Sequence, residues 1–309
     1  SLYDDHYTEN VSRDLLNAVF SSFAINDFFT PFQHFTLNGN SYSKDRGYAF
    51  ERQLNANLDG ALEGTLADYK EPVSQGLIPM MIFTPTITAD GRKLLISSQP
   101  VSYMTWPEYR DVRRKLHDVD GVDFSRYFAG LEPLQLRITS ALRMSATFPY
   151  VLPNVYLPTK PIIDVMDAGL RDNYGKETSL RFLHVFRDWV NQHTSGVIFI
   201  QIRDNRKNEV VPIEQSKGLV DMILEPLFTM QRNWSSYQDF EQDDLTAYAE
   251  HFFQVPFYRI IFQYVPKHGD EQAALNWHLT GREKSDISEA IYNPANRGAF
   301  RLLKSVMSP

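Results

Sequence analysis

The residues best placed to do chemistry are Asp167, Ala168 and Gly169. The run Ile162-Ile163-Asp164-Val165-Met166 reads as a buried strand, and an Asp-Ala-Gly turn cannot continue it. This spacing delivers one carboxylate to the carboxyl end of a strand, where sites form in open α/β sheets. Packing does not call for an acid there, because Asp is seldom fully buried unless it is paired. Two roles suit the position. The carboxylate can serve as a general acid or base, or it can bond its own backbone and close the turn. A second small-residue turn, Ser145-Ala-Thr-Phe-Pro-Tyr150, lies upstream and offers the hydroxyls of Ser145 and Thr147.

Other chemistries find little support. The chain has no cysteine, which excludes disulfides, thiolate catalysis and Cys-zinc sites and fits a reducing compartment. Its eight histidines are scattered, with no His-x-x-x-His or Glu-x-x-His pair, and His184 reads as a packed side chain on a helix. Asp118-Val-Asp-Gly-Val-Asp123 is rich in carboxylates, but its glycine is misplaced for a calcium loop, so a solvated turn is expected. No phosphate loop is present. Neither a metal nor a cofactor is therefore expected. The net charge of −7 argues against a nucleic-acid partner. The densest basic run, Arg110, Arg113, Arg114 and Lys115, is flanked by Glu108, Asp111, Asp118 and Asp120 and reads as a solvated helix face. No run of about 18 apolar residues appears, so no transmembrane helix is expected.

The elements that must position these groups alternate between helix and strand. Residues 8–30 read as a helix, with Leu15, Leu16, Val19, Phe20 and Phe23 at helical spacing. Phe28, Phe29, Phe32 and Phe35 follow as an aromatic cluster. A second helix runs from Lys44 to Leu58, and Leu77–Phe83 reads as a buried strand. Asp90-Gly91 marks a hairpin that returns along Arg92–Ser97. An amphipathic helix over 134–144 delivers the chain to Ser145. After the acid turn, a helix over 178–193 leads into the apolar run Val197–Ile202, a step typical of a crossover unit. A long helix over 218–253, a strand over 258–264 and a helical segment over 274–306 complete the chain. The pattern predicts an α/β fold, three-layer α/β/α with a mostly parallel central sheet. With no visible linker, a single domain over residues 1–309 is expected.

Several blocks, taken in order, resemble the patatin-like phospholipase family, as found in bacterial members. Ile78–Thr86 with Asp90-Gly91-Arg92 is similar to the strand and hairpin after the family's nucleophile helix. Arg143–Pro149 resembles its Ser-Ala-Ala-x-x-x-Phe-Pro block, and Asp167–Asn173 its acid turn with a trailing Asn. Leu275-Asn-Trp-His-Leu279 resembles a C-terminal Leu-x-Trp-x-Leu block. Glu9–Leu15 with Lys44–Tyr48 resembles the insert after the elbow. The resemblance covers most of the chain and implies a patatin-like three-layer fold. It also implies a serine-dependent lipid acyl hydrolase that cleaves carboxylic esters of phospholipids or neutral lipids with a Ser–Asp dyad. Asp167 would be the dyad acid and Gly169 would permit its turn. Ser145 and Thr147 would support the site, and Asn173 would fix the loop behind it.

The family's Gly-x-Ser-x-Gly elbow is not in the sequence. Gly39-Asn40-Ser41-Tyr42-Ser43 fails at its last position. The nucleophile, its strand and the oxyanion loop are expected upstream of Ser1. The alternative is a catalytically inactive patatin-fold protein acting as a membrane-surface or scaffolding module, with the Phe28–Phe35 cluster as its contact surface. The implied partners are a lipid ester and a peripheral membrane contact. The implied location is cytoplasmic or at the inner face of a membrane.

Overall fold

The computed structural model describes residues 10, 13–15, 34–37, 40–43, 46–105, 120–147, 155–157, 163–206, 219–267 and 279–308. Most of the expected first helix lies outside the described residues, as do Phe28, Phe29, Phe32, the basic run at 110–115, Phe148, Pro149 and residues 275–278. The chain divides into two compact units, Ser1–Arg171 and Asp172–Pro309. The boundary falls just after the acid turn, where the sequence shows no linker. Among the described residues no helix is long and apolar enough to cross a membrane.

In the first unit, β1 (His34–Leu37) and β2 (Asn40–Ser43) form an antiparallel pair, followed by the helices α1 (Arg46–Asn57) and α2 (Leu66–Ser74). A five-stranded sheet is built from β3 (Thr86–Ile87), β4 (Lys93–Leu95), β5 (Gly121–Asp123), β6 (Val155–Leu157) and β7 (Ile163–Met166). The short helix α3 (Phe124–Tyr127) and the amphipathic α4 (Ile138–Ser145) lie between β5 and β6 in sequence, and α5 (Gly169–Asp172) follows β7. The strand order is β5-β4-β3-β7-β6.

This sheet is mixed, which corrects the expected mostly parallel one. The pairs β3–β4, β3–β7 and β6–β7 are antiparallel, and β4–β5 alone in this sheet is parallel. The cause is local. Asp90-Gly91 turns β3 straight back into β4, with Gly91 in the left-handed region at φ +73°. The connection from β4 to β5 is long enough for a parallel return. The expected strand at Leu77–Phe83 does not form. Pro79 cannot donate to a ladder, Leu77 and Met81 are exposed, and Phe83 makes one isolated bridge to Ile96. The core lies under the sheet, where Ile87, Leu94, Val155, Leu157 and Val165 pack with Leu66, Ile138, Ala141 and Met144. α4 is thereby pinned by its buried face, and its last residue, Ser145, is held beside β7.

A buried ionic knot ties α1 to α4. Glu51 Oε1 and Oε2 lie 3.0 Å from Arg143 Nε and Arg137 Nη1 respectively, and the Ser140 hydroxyl donates to both oxygens at 3.1 Å. The Arg143 side chain crosses directly over Gly47. A Cβ there would sit 1.7 Å from its guanidinium nitrogen and 2.8 Å from its Cδ, so a larger residue would have to displace the Arg143 side chain.

The second unit contains α6 (Lys176–Val185), α7 (Arg187–His193), β8 (Val197–Arg203), α8 (Leu219–Glu250), β9 (Phe257–Gln263), α9 (Gly281–Ala290) and α10 (Pro294–Met307). β8 and β9 pair in parallel from Val197↔Phe257 to Arg203↔Gln263. With α8 between them, they form a parallel crossover unit, whereas the crossover expected from the 178–193 helix into Val197–Ile202 is not the one seen, since β8 pairs with β9 and not with β7. The helix expected over 178–193 is instead broken at Phe186, and Trp189 is exposed rather than on a buried stripe. β8 also departs from a fully buried run, since Ile198, Ile200 and Ile202 are exposed while Val197, Phe199, Gln201 and Arg203 are buried.

Candidate functional site

The first unit gathers four groups around the end of β7. Asp167 leaves the strand half-buried. Its Oδ1 accepts the Gly169 N–H at 2.6 Å, and its carbonyl accepts the Thr86 hydroxyl at 3.0 Å and the Leu170 N–H at 3.4 Å. The next peptide is held from the other side, where the Ala168 N–H donates to the Ser145 carbonyl at 3.3 Å. The antiparallel pairing Thr86↔Met166 sets β3 one residue from the acid, which brings the Thr86 hydroxyl within reach. The backbone of the acid turn is thus clamped between β3 and the C-terminus of α4.

The turn bond that the sequence allows is present, and it uses one carboxylate oxygen. Oδ2 has no hydrogen-bond partner among the described residues. Burial pushes the Asp167 carboxyl up to about 6, and the single Gly169 N–H pulls the other way without offsetting it. A carboxylate in this state accepts a proton readily near neutral pH and has an oxygen free to do so.

The other sequence-derived residues fall in different places. Gly169 supplies the turn donor. Ser145 contributes its carbonyl, and its own Oγ is buried without a hydrogen-bond partner among the described residues. The Thr147 hydroxyl donates to the Met144 and Arg143 carbonyls at 3.0 and 3.3 Å. It satisfies the end of α4 and does not reach the acid. Asn173 belongs to the second unit, where it is exposed and its backbone N–H donates to Gln238 Oε1 at 3.2 Å. Thr86 is the participant that the sequence reading missed. Its only sequence signal is a position just before the Asp90-Gly91 hairpin, which fixes the register of β3 against its neighbours.

Asp120 and Asp123 of the carboxylate-dense turn are committed to structure. Asp123 Oδ1 caps α3, accepting Ser125 N–H at 2.9 Å and Arg126 N–H at 3.4 Å. Asp120 pairs with Arg171. Among the described residues no group of three or more His, Cys, Asp or Glu side chains could hold a metal ion.

A second concentration of charge lies in the second unit. Lys176 is fully buried, with Nζ 2.9 Å from both Asp239 and Asp243. Arg203 grips Asp239 with both terminal nitrogens and stacks over the Tyr174 ring at 4.4 Å, while Arg259 pairs with Asp243. Asp172 receives the Glu177 and Thr178 N–H groups at the start of α6, and the Gln242 amide at 3.2 Å. Burial pushes the Asp239 carboxyl up, but hydrogen bonds and charge from Arg203 and Lys176 outweigh it and hold the group below the usual carboxylate range. Lys176, Arg203, Arg259, Asp239 and Asp243 each lie against an opposite charge, and Asp172 is held by backbone and amide N–H donors, which is the arrangement of a structural tie.

No family model matches the chain, and neither a curated protein nor a solved structure matches it.

Proposed function

We propose that Asp167 is the acid of a Ser–Asp dyad in a lipid acyl hydrolase with a patatin-like three-layer fold. The observation that carries this reading is the state of the Asp167 carboxyl. It stands at a strand end, one oxygen is fixed by the Gly169 N–H, the other is uncommitted, and its affinity for a proton is raised. A base that activates a serine hydroxyl needs all of these properties. The clamp from Thr86 and the Ser145 carbonyl supports the same role, because it holds the turn backbone while leaving Oδ2 unengaged.

In the proposed reaction, ionised Asp167 accepts the proton of a serine hydroxyl as the serine oxygen attacks an ester carbonyl. The alcohol leaves with a proton, and water then hydrolyses the acyl-serine by the reverse transfer. Residues 1–309 hold no Gly-x-Ser-x-Gly, so the reading requires the serine to come from another part of the natural protein.

The test uses the full natural protein, a fluorophosphonate probe and a short-chain ester. Labelling of one serine, with hydrolysis abolished by Asp167→Asn while labelling-independent measures of folding stay unchanged, is the expected result. Hydrolysis at near-normal rate in Asp167→Asn would overturn the role of Asp167. Absence of both labelling and hydrolysis in the wild type would favour an inactive module on the same fold.

A further inference from the structure

The strand β8 is left with one edge and a narrow strip of one face open. A residue in a strand turns its N–H and C=O to the same side, and consecutive residues alternate sides. The Val197 N–H donates to the Pro256 carbonyl and the Arg203 carbonyl accepts the Tyr264 N–H, so Val197, Phe199, Gln201 and Arg203 spend their backbone groups on β9. The N–H and C=O groups of Ile198, Ile200 and Ile202 therefore point away from β9. No strand pairs with them among the described residues, because β8 and β9 form a sheet of two. The same three residues carry exposed side chains, at 38%, 48% and 77%. Over β9 that face is closed. Ile260, which pairs with Ile200, is 1% exposed, α10 packs on β9, and the rings of Phe262 and Phe300 lie 4.7 Å apart. What stays open is one strand wide.

Directional backbone groups select the occupant. A row of alternating N–H and C=O groups is met by another extended strand, whereas a helix has already spent its own backbone bonds. Natural edges are guarded by Lys, Pro or a bulge. Val197-Ile-Phe-Ile-Gln-Ile-Arg203 has no Lys and no Pro, its register against β9 runs without a bulge, and its one charge, Arg203, is buried against Asp239. Two strands also fall short of the three or more that an independently stable sheet needs. β8 complements itself in both respects. Set antiparallel about Ile200, one copy places Ile198 opposite the second copy's Ile202, and Ile200 opposite its own equivalent. Each of these residues turns both backbone groups to the edge, so every open N–H meets an open C=O. The open strip then carries an unbroken row of β-branched pairs, with no charge set against a like charge.

We infer that β8 is a self-pairing edge: two copies of the chain join antiparallel along Ile198–Ile202, centred on Ile200, into a four-stranded sheet of order β9-β8-β8-β9. The role given to Asp167 plays no part in this, because association is measured without turnover.

The test is sedimentation equilibrium of the full chain, joined to site-directed cross-linking. A dimer is expected. Ile200→Lys sets two ammonium groups opposite each other and is expected to weaken it about tenfold or more, with circular dichroism checking the fold. The chain has no cysteine, so one introduced thiol reports the register. Ile200→Cys is expected to give a disulfide-linked dimer under mild oxidation, since its two Cα atoms would lie about 5.5 Å apart. Ile198→Cys alone should not, because its two thiols would be offset by about 13 Å along the strands. An equal mixture of Ile198→Cys and Ile202→Cys should cross-link. These cysteine variants serve if the lysine variant misfolds. A chain that stays monomeric, or a dimer unchanged by Ile200→Lys, would overturn the inference. Cross-linking of Ile198→Cys alone that matches Ile200→Cys would overturn it too. A monomer whose Ile200→Cys thiol is shielded by an added Val-Thr repeat peptide would give the edge to a foreign strand and overturn self-pairing.

Discussion

Asp167 in the first unit and Asp239 in the second are both carboxylates half-withdrawn from water, and the protein treats them in opposite ways. Asp239 receives two terminal nitrogens of Arg203 and the ammonium of Lys176. Asp167 receives one backbone N–H, and no cation is bonded to it among the described residues. The outcome follows from that inequality. Burial raises both carboxyls, but paired charge reverses the sign at Asp239 and leaves Asp167 at about 6. A carboxylate that must hold elements together is saturated with partners. One that must exchange a proton is left partly unsatisfied on a rigid backbone.

The sharpest way to break this contrast is to remove the ionisable group at Asp167. Asp167→Asn keeps an oxygen for the Gly169 N–H and loses the base. Ester hydrolysis by the full natural protein is expected to drop by about a hundredfold or more, the range for a lost general base. In the wild type, kcat/KM should fall as pH drops through about 6, because the base must be ionised. A flat profile between pH 5 and 8 would count against the assignment.

The matching change at the saturated site is Lys176→Met. The side chain is fully buried between Asp239 and Asp243, so its loss leaves two carboxylates sharing too few partners. A loss of about 3–5 kcal/mol is expected, as for one broken partner of a buried ion pair. Denaturant melts of the chain measure it. The sign with pH is also fixed. Asp239 is held below its unfolded value, so its stabilisation is present above about pH 4 and is lost as pH falls through its lower folded value. A loss below about 0.5 kcal/mol would mean that the knot around Lys176 is decoration.

What could be read from the sequence divides along the same line. The acid turn was legible because Asp-Ala-Gly after an apolar strand is a local signal, and so were the strands β8 and β9 and the long helix between them. The mixed sheet was not. β3 is two residues long, and its pairing depends on a hairpin and on β7 some eighty residues away. The buried polar face of α8 was hidden for a related reason. Gln238, Gln242 and Thr246 look like a solvated stripe until Lys176, Arg203 and Arg259 arrive from distant positions. Periodicity separates apolar from polar residues, and between Trp234 and Glu250 the helix buries polar residues and exposes aromatic ones. Thr147 and Asn173 were placed at the site by resemblance; the Thr147 hydroxyl bonds carbonyls at the end of its own helix, and the Asn173 backbone N–H bonds Gln238.

A smaller effect separates the two carboxylates by stability rather than by rate. Asp167 has a folded value above its unfolded one, so the folded state binds the proton more tightly. Its ionisation therefore burdens the fold, beginning above about pH 4 and complete above about 6. Asp167→Asn is expected to stabilise the chain at pH 8 by up to about 3 kcal/mol, with the gain vanishing at pH 4. Paired melts at the two pH values read the difference. If burial did not raise the Asp167 carboxyl, no gain would appear at pH 8.

The smallest expected effect tests the clamp itself. Thr86→Val preserves the β-branched shape in β3 and deletes the hydroxyl that donates to the Asp167 carbonyl at 3.0 Å. The stability loss is expected to be about 1 kcal/mol, the net worth of one such hydrogen bond. A purely structural bond would stop there. If Thr86 positions the acid, the midpoint of the pH–rate profile should also move, because a loosened turn changes how deeply the Asp167 carboxyl is buried. Thr86→Ser keeps the hydroxyl and should restore the midpoint even where it does not restore the full melting temperature. A midpoint unchanged in both variants would reduce Thr86 to a structural residue. The contrast between the two carboxylates would then rest on hydrogen-bond partners at the side chain alone.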